Sequence, residues 1–175
     1  RDSVKNLKAV WRAGLNSALE FRHNNQAQPL VYEGVIYIVT GQDDAFAISV
    51  ETGDILWETR SGLENDDAFV CCQWVSRGLG MGEGKIFLGR LDSKLQALDQ
   101  LTGEVLWSIQ LEDPKAGYSL TAAPLYFDGM VIIGNAGGDL GTRGRMQAFD
   151  ADDGALLWTF YTIPGPGEFG HDTWP

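Results

Sequence analysis

The sequence has 175 residues, 44% of them hydrophobic and 21% charged, which excludes a disordered tail and is enough chain for one domain. Its formal net charge is −11, from 13 basic and 24 acidic side chains. That excludes a nucleic-acid-binding module, whose phosphate partner needs a basic footprint.

Two histidines and two cysteines are too few for a zinc cage. No run of about 18 apolar residues is present, so no transmembrane helix is expected. There is no CxxCH haem-attachment motif and no GxGxxG opening a helix, which leaves nicotinamide or flavin binding of the Rossmann kind unsupported.

The chain opens at Arg1 and stops at Pro175 inside a Gly/Pro stretch, and both ends are expected to be cut from a longer protein. Residues 4–12 alternate loosely and end in Val10-Trp11, as the last strand of a truncated earlier repeat would. Leu30-Val31-Tyr32, the turn Glu33-Gly34 and Val35–Val39 then predict a β-hairpin. Ala47–Trp57 (AISVETGDILW) follows as strand, tight turn and strand, ending in Trp. The same unit recurs at Ala97–Trp107 (ALDQLTGEVLW) and Ala148–Trp158 (AFDADDGALLW), spaced by 50 and 51 residues. The second copy is preceded by the turn Glu83-Gly84 and the strand Lys85–Leu88. The third is preceded by Leu125–Phe127, the turn Asp128-Gly129 and Met130–Ile133.

A fixed period of this size denotes a repeat architecture. Each repeat reads as two hairpins in series, four antiparallel strands without a helix, which is a β-propeller blade. The expected fold class is therefore all-β, a partial β-propeller of about three four-stranded blades. The divisions expected are a blade remnant over 1–25, blades over about 26–60, 61–112 and 113–163, and a truncated loop over 164–175.

Spacing locates the irregularities. From turn Gly to motif Ala is 13 residues in the first two repeats (34 to 47, 84 to 97) but 19 in the third (129 to 148). The six extra residues fall in Asn135-Ala136-Gly137-Gly138-Asp139-Leu140-Gly141. From motif Trp to the next turn Gly is 27 residues after Trp57 and 22 after Trp107, and the longer link carries Cys71-Cys72. In a four-stranded meander, the turn after the second strand and the link between blades share one face. Both irregular segments, Arg77, Thr121 and Gln26 thus belong at or just below one face, and loops extended from one face of a rigid scaffold are where sites are built.

Neighbouring Cα atoms lie about 3.8 Å apart, whereas disulfides favour roughly 4.4–6.8 Å. Cys71-Cys72 is accordingly either a strained, flat, apolar eight-membered ring or two buried thiols. Asn135–Gly141 lets backbone approach a ligand closely, or is simply a Gly-rich turn. Asp139 offers a hard oxygen donor, suited to calcium rather than zinc. Arg77 can fork onto a carboxylate or carbonyl, or lie on the surface as arginines commonly do. Thr121 by itself is an ordinary strand residue.

The Trp-ended hairpin resembles the tryptophan-docking motif of quinoprotein dehydrogenases. CCQWVSRG (71–78), TAAP (121–124), GNAGGDLGTRG (134–144) and PGPGEFGHDTWP (164–175) resemble the alcohol dehydrogenases dependent on pyrroloquinoline quinone (PQQ), the last segment most of all the quinohaemoprotein branch. The resemblance covers nearly the whole chain and implies an eight-bladed propeller. It implies that Cys71-Cys72 is a disulfide ring covering one face of PQQ, and that Arg77 reaches the quinone oxygens. It implies further that Thr121 bonds a PQQ carboxylate, that Ala136, Gly137 and Gly138 line the cofactor edge, and that Asp139 is a metal ligand. Two departures stand out. The family has Glu where this chain has Asp139, one methylene longer, which leaves metal distance and identity open. It has an acidic residue where Gln26 stands, and an amide hydrogen-bonds without adding negative charge.

By the same resemblance, the activity is alcohol oxidation by PQQ with a calcium ion as Lewis acid, a lanthanide being left open. Electrons pass to a cytochrome c or to a haem c domain outside this segment. The catalytic carboxylate and the remaining metal ligands are expected beyond residue 175, and the isolated segment is expected neither to close a propeller nor to turn over alcohol. A disulfide between the cysteines agrees with an oxidising periplasm. The alternative is a non-catalytic Trp-repeat propeller that serves as a protein-binding scaffold in the cell envelope, and a membrane-bound PQQ sugar dehydrogenase is a third reading. The cysteine pair, Arg77 and the 135–141 insertion discriminate, because a scaffold needs none of them.

Overall fold

The pairs Glu33-Gly34, Glu83-Gly84 and Asp128-Gly129 all have positive φ, between 46° and 78°. Two consecutive left-handed residues make a type I′ turn, whose twist matches that of the strands it joins. Each pair accordingly nucleates a hairpin at the same place in its repeat. The computed structural model describes residues 2–173; Arg1, Trp174 and Pro175, the latter two from the expected terminal loop, lie outside the described residues.

Strand β1 (His23–Gln28) precedes a four-stranded meander of β2 (Leu30–Tyr32), β3 (Val35–Val39), β4 (Ala45–Ser49) and β5 (Ile55–Thr59). After β6 (Trp74–Gly78), a second meander runs through β7 (Gly80–Gly82), β8 (Lys85–Gly89), β9 (Lys94–Asp99) and β10 (Val105–Gln110). A third comprises β11 (Leu125–Phe127), β12 (Met130–Gly134), β13 (Arg145–Asp150) and β14 (Leu156–Tyr161). All three sheets are antiparallel, as the repeat predicts.

Two departures from the sequence reading concern the first thirty residues. Residues 4–12 form no strand; Asp2–Asn6 is a 3-10 helix and the chain beyond it is irregular as far as β1. Strand β1 lies outside the meander of blade one. It pairs in parallel with β6, matching His23 with Trp74 and Gln28 with Gly78. Its sequence HNNQAQ lacks the apolar alternation that marks a half-buried strand, because only Arg22, His23 and Ala27 are partly buried in this stretch.

The blades pack face to face. On β8, Ile86 and Leu88 face blade one, where they join Tyr37, Val39, Ala47 and Trp57. The intervening Phe87 faces blade three and packs with Leu120, Val131, Ile133 and Phe149. Side chains alternate across a strand, so a strand buried on both faces reads as the unbroken apolar run Ile86-Phe87-Leu88.

The repeated Trp joins each blade to the next. Trp57 Nε1 donates to Gln100 O at 3.0 Å and Trp107 Nε1 to Ala151 O at 3.1 Å. Trp11 does the same to Val50 O at 2.8 Å, although no strand carries it. Each acceptor lies three residues after its motif Ala. Each indole also lies against the following motif's turn glycine: a Cβ on Gly53, Gly103 or Gly154 would come within 2.6–3.0 Å of the indole of Trp11, Trp57 or Trp107 respectively. That glycine is required twice over, by its positive φ and by the ring above it. Trp158 is 40% exposed, and Phe160 on the same strand and Leu125 and Phe127 on β11 are exposed too, which leaves apolar surface of blade three open.

Candidate cofactor site

Cys71 and Cys72 are joined by a disulfide between neighbours, with Cα atoms 3.8 Å apart. Both are exposed, so the ring presents a face to solvent. Its position is fixed from both sides in the chain. Val70 packs on the buried cluster of Leu63, Trp74 and Leu91, and Trp74 N donates to Arg22 O at 2.9 Å. The Arg22 guanidinium lies 4.4 Å over the Trp74 ring, and His23 packs on the same indole with ring centroids 5.2 Å apart. Burial lowers the pKa of His23, which favours the neutral imidazole at this contact.

Arg77 projects from β6 and is laced to the segment before β11. Its backbone N–H donates to Thr121 O at 3.0 Å and its Nη1 to Thr121 Oγ1 at 2.7 Å. The side chain is exposed.

The lobe inserted between β12 and β13 supplies the opposite wall. Ala136 N donates to Ser119 O at 2.8 Å in an isolated antiparallel bridge. Gly137 has φ 117°, and a Cβ there would lie 2.1 Å from Gly117 O, so no other residue fits without moving the backbone. Gly137 O accepts from Leu140 N and Thr142 N, closing the 3-10 turn Gly138–Leu140.

These elements enclose a cavity of about 310 Å³, within the usual range of small-molecule sites, roughly 300–1,000 Å³. Cys71, Cys72, Arg77, Thr121, Ala136, Gly137 and Asp139 all line it. Gly138 opens the 3-10 turn without lining the cavity. Gln26 lies elsewhere: it lines a neighbouring opening with Gln28, Gly78 and Ala123, and Arg77 borders both spaces. The β1–β6 pairing accounts for this, because it places Gln26 on the far side of Arg77's strand.

Phe69, Ser119 and Gly117 also line the cavity and were not singled out from the sequence. Ser119 and Gly117 contribute through backbone carbonyls on the lobe, a role that side-chain chemistry does not announce.

The slot combines an apolar plate, a wall of bare backbone and one cation, since Arg77 is the sole Lys or Arg among the described residues of its lining. Such a space suits a flat molecule with carbonyl or carboxylate oxygens at one edge. Asp139 is a single hard donor; among the described residues there is no group of three or more His, Cys, Asp or Glu able to hold a metal.

Face-packed, Trp-docked blades that carry a disulfide plate beside a glycine lobe define a quinoprotein-type β-propeller. The chain belongs to the glucose/ethanol/alcohol dehydrogenase β-propeller family (PQQ), whose model matches residues 1–175. It is 39% identical over 164 residues to the quinoprotein alcohol dehydrogenase PedH of Pseudomonas putida, covering 94% of this chain and 27% of that protein. It is 38% identical to the quinohemoprotein alcohol dehydrogenase ADH IIB of Pseudomonas putida, covering 93% of this chain and 23% of that one. A solved europium-containing methanol dehydrogenase superposes with a TM-score of 0.85 at 30% identity, over 94% of this chain and 28% of its own. The chain thus spans about a quarter of the length of the relatives it matches.

Proposed function

We propose that this chain forms part of the cofactor site of a PQQ-dependent alcohol dehydrogenase. The observation that carries the reading is the convergence of the Cys71-Cys72 plate, the Arg77–Thr121 pair and the Gly137 wall on one cavity. The residues present fit the cofactor. The disulfide plate suits one face of a planar ring system, Arg77 suits its anionic or carbonyl oxygens, and Gly137 brings backbone to the cavity wall where a Cβ would collide.

In this reading Cys71-Cys72 covers one face of PQQ and keeps water from it. Arg77 holds quinone oxygens, Thr121 a carboxylate, and Ala136 and Gly137 the edge, while Gly138 permits the turn. When bound, PQQ supplies the two-electron oxidation of the alcohol, with a hard cation polarising its carbonyl.

Asp139 is one ligand to that cation, and the others, like the base that accepts the alcohol proton, come from outside residues 1–175. The cation is calcium in this reading. The similarity to a europium-containing enzyme favours a lanthanide as its alternative. The electron acceptor would be a cytochrome c or a haem domain, and the compartment the periplasm. The scaffold alternative rests on the Trp repeats, which serve docking alone and leave the disulfide plate and the lobe without a use.

The test is a titration of the purified, calcium-loaded full-length enzyme that contains residues 1–175 with PQQ, followed by the cofactor's absorbance. Saturable one-to-one binding that weakens on Arg77→Ala is expected. Absence of saturable binding with the disulfide intact would overturn the proposal.

A further inference from the structure

The lobe that presents Gly137 and Asp139 to the cavity is closed at its neck by one side chain, Asn135. Its Oδ1 accepts from Arg145 N at 3.0 Å, on the returning stem. Its Nδ2 donates to Ala136 O at 3.3 Å, on the outgoing stem, and to Thr142 Oγ1 at 3.4 Å. Thr142 is buried, donates its N–H to Gly137 O at 3.2 Å, and fills the space under Gly137, where a Cβ would meet its side chain at 2.8 Å. Asn135, Thr142 and Gly137 thus form a continuous chain from the neck to the cavity wall. Asn135 itself does not line the cavity.

The returning stem is anchored independently. Arg145 pairs with Glu112 at 2.5 Å and lies 5.3 Å over the Tyr118 ring, while Arg143 stacks 3.6 Å over Tyr161 and donates to Ile163 O at 2.8 Å. The outgoing stem has the Ser119–Ala136 bridge. Asn135 stands on the outgoing stem, and its carboxamide hydrogen-bonds the returning stem at two points, Thr142 Oγ1 and Arg145 N.

We propose that Asn135 is a positioning residue: its carboxamide sets the separation of the two stems, and thereby holds Gly137 and Asp139 in the conformation that the cofactor cavity needs. The second clause rests on the PQQ reading; the first does not. Removing the carboxamide leaves the outer anchors intact, so the effect is local loosening rather than unfolding.

Two readouts test this at a temperature well below melting. In ligand-free protein, Asn135→Ala should raise amide hydrogen exchange in peptides covering residues 136–142 at least severalfold while leaving the strands unchanged. In the full-length enzyme with PQQ and calcium, the same variant should weaken cofactor binding by about tenfold, the effect of roughly one hydrogen bond. Asn135→Asp, which keeps the acceptor for Arg145 N and loses the donors, should fall between. Lys85→Ala removes an ion pair between blades two and three remote from the lobe, and serves as the control for general destabilisation. Unchanged exchange over 136–142, or a cofactor affinity no weaker than that of the Lys85 control, would overturn the proposal. If wild-type protein fails to bind PQQ, the functional reading falls and the exchange measurement alone decides whether Asn135 holds the lobe.

Discussion

Arg77 is bonded to Thr121 twice, through its backbone N–H to the carbonyl and through its guanidinium to the hydroxyl. One residue belongs to the strand after the cysteine ring and the other to the approach to the third blade, so this pair sets the width of the cavity floor. The remaining guanidinium donors have no acceptor among the described residues. They are free to meet a ligand that carries oxygens.

Replacing Arg77 by Ala is therefore expected to weaken PQQ binding by about 10- to 100-fold, since hydrogen bonds to charged groups contribute roughly 1.5–3 kcal/mol. The side chain is exposed, so thermal stability should change little. Arg77→Lys should not restore affinity, because an ammonium cannot hold Thr121 and a planar ligand edge as a fork does. Calorimetric titration of the three proteins checks this. Equal affinities would remove Arg77 from the site.

Reduction of the Cys71-Cys72 bond offers a second check. Intact mass should rise by about 2 Da with reductant, the mass of the two hydrogens added when the bond is opened. The far-ultraviolet circular dichroism should stay unchanged, because the ring lies in an exposed link outside the blades. Cofactor affinity should fall, since two separate thiols no longer form a flat plate. Unaltered affinity after complete reduction would show that the plate has no part in binding.

The turn glycines separate two physical effects. Gly34 and Gly103 have similar φ, 78° and 75°, but a Cβ on Gly34 meets nothing within 4 Å while one on Gly103 meets Trp57 at 2.6 Å. Gly34→Ala should cost about 1–2 kcal/mol, the cost of a left-handed conformation for a residue with a Cβ. Gly103→Ala should cost about 2–4 kcal/mol, because overpacking is added. Denaturant midpoints measured at unchanged slope provide the comparison.

Asp43 gives a pH prediction. It is 1% exposed; its Oδ2 accepts from Leu91 N at 2.6 Å while Oδ1 is buried without a partner among the described residues. Burial pushes its carboxyl well above the ordinary range, outweighing the Leu91 bond and the nearby Arg90. A raised folded-state pKa means that the folded protein holds the proton more tightly than the unfolded chain. Its stabilising effect is complete below the unfolded value near 3.9 and is lost as pH climbs through the folded one. Asp43→Asn keeps an acceptor for Leu91 and cannot ionise, so its stability relative to wild type should grow as pH rises from about 4. Parallel pH profiles for the two proteins would contradict this assignment.

The hairpins were legible because their turns need specific chemistry: Glu-Gly and Asp-Gly pairs at three equivalent places all proved to be left-handed. The one-face argument was legible from spacing, and it brought Cys71-Cys72 and the 135–141 lobe to one cavity. Gln26 was assigned to the same space and lies in the neighbouring one, since the parallel pairing of β1 with β6 has no signature in a polar strand. The roles of Ser119 and Gly117, and the part Asn135 plays at the neck of its loop, have no sequence signature, because they work through backbone groups or through a loop neck. Such roles depend on which segments meet, and spacing along the chain does not specify that. Trp11 was read as the end of a strand; it docks like the other tryptophans without one.

The central claim is tested most directly by a crystal structure of the calcium-loaded full-length enzyme that contains residues 1–175, with PQQ. The account predicts the ring system against the Cys71-Cys72 disulfide, its oxygens on Arg77 and Thr121, and its edge along Ala136 and Gly137. Cofactor bound away from that cavity, with the disulfide intact, would contradict it.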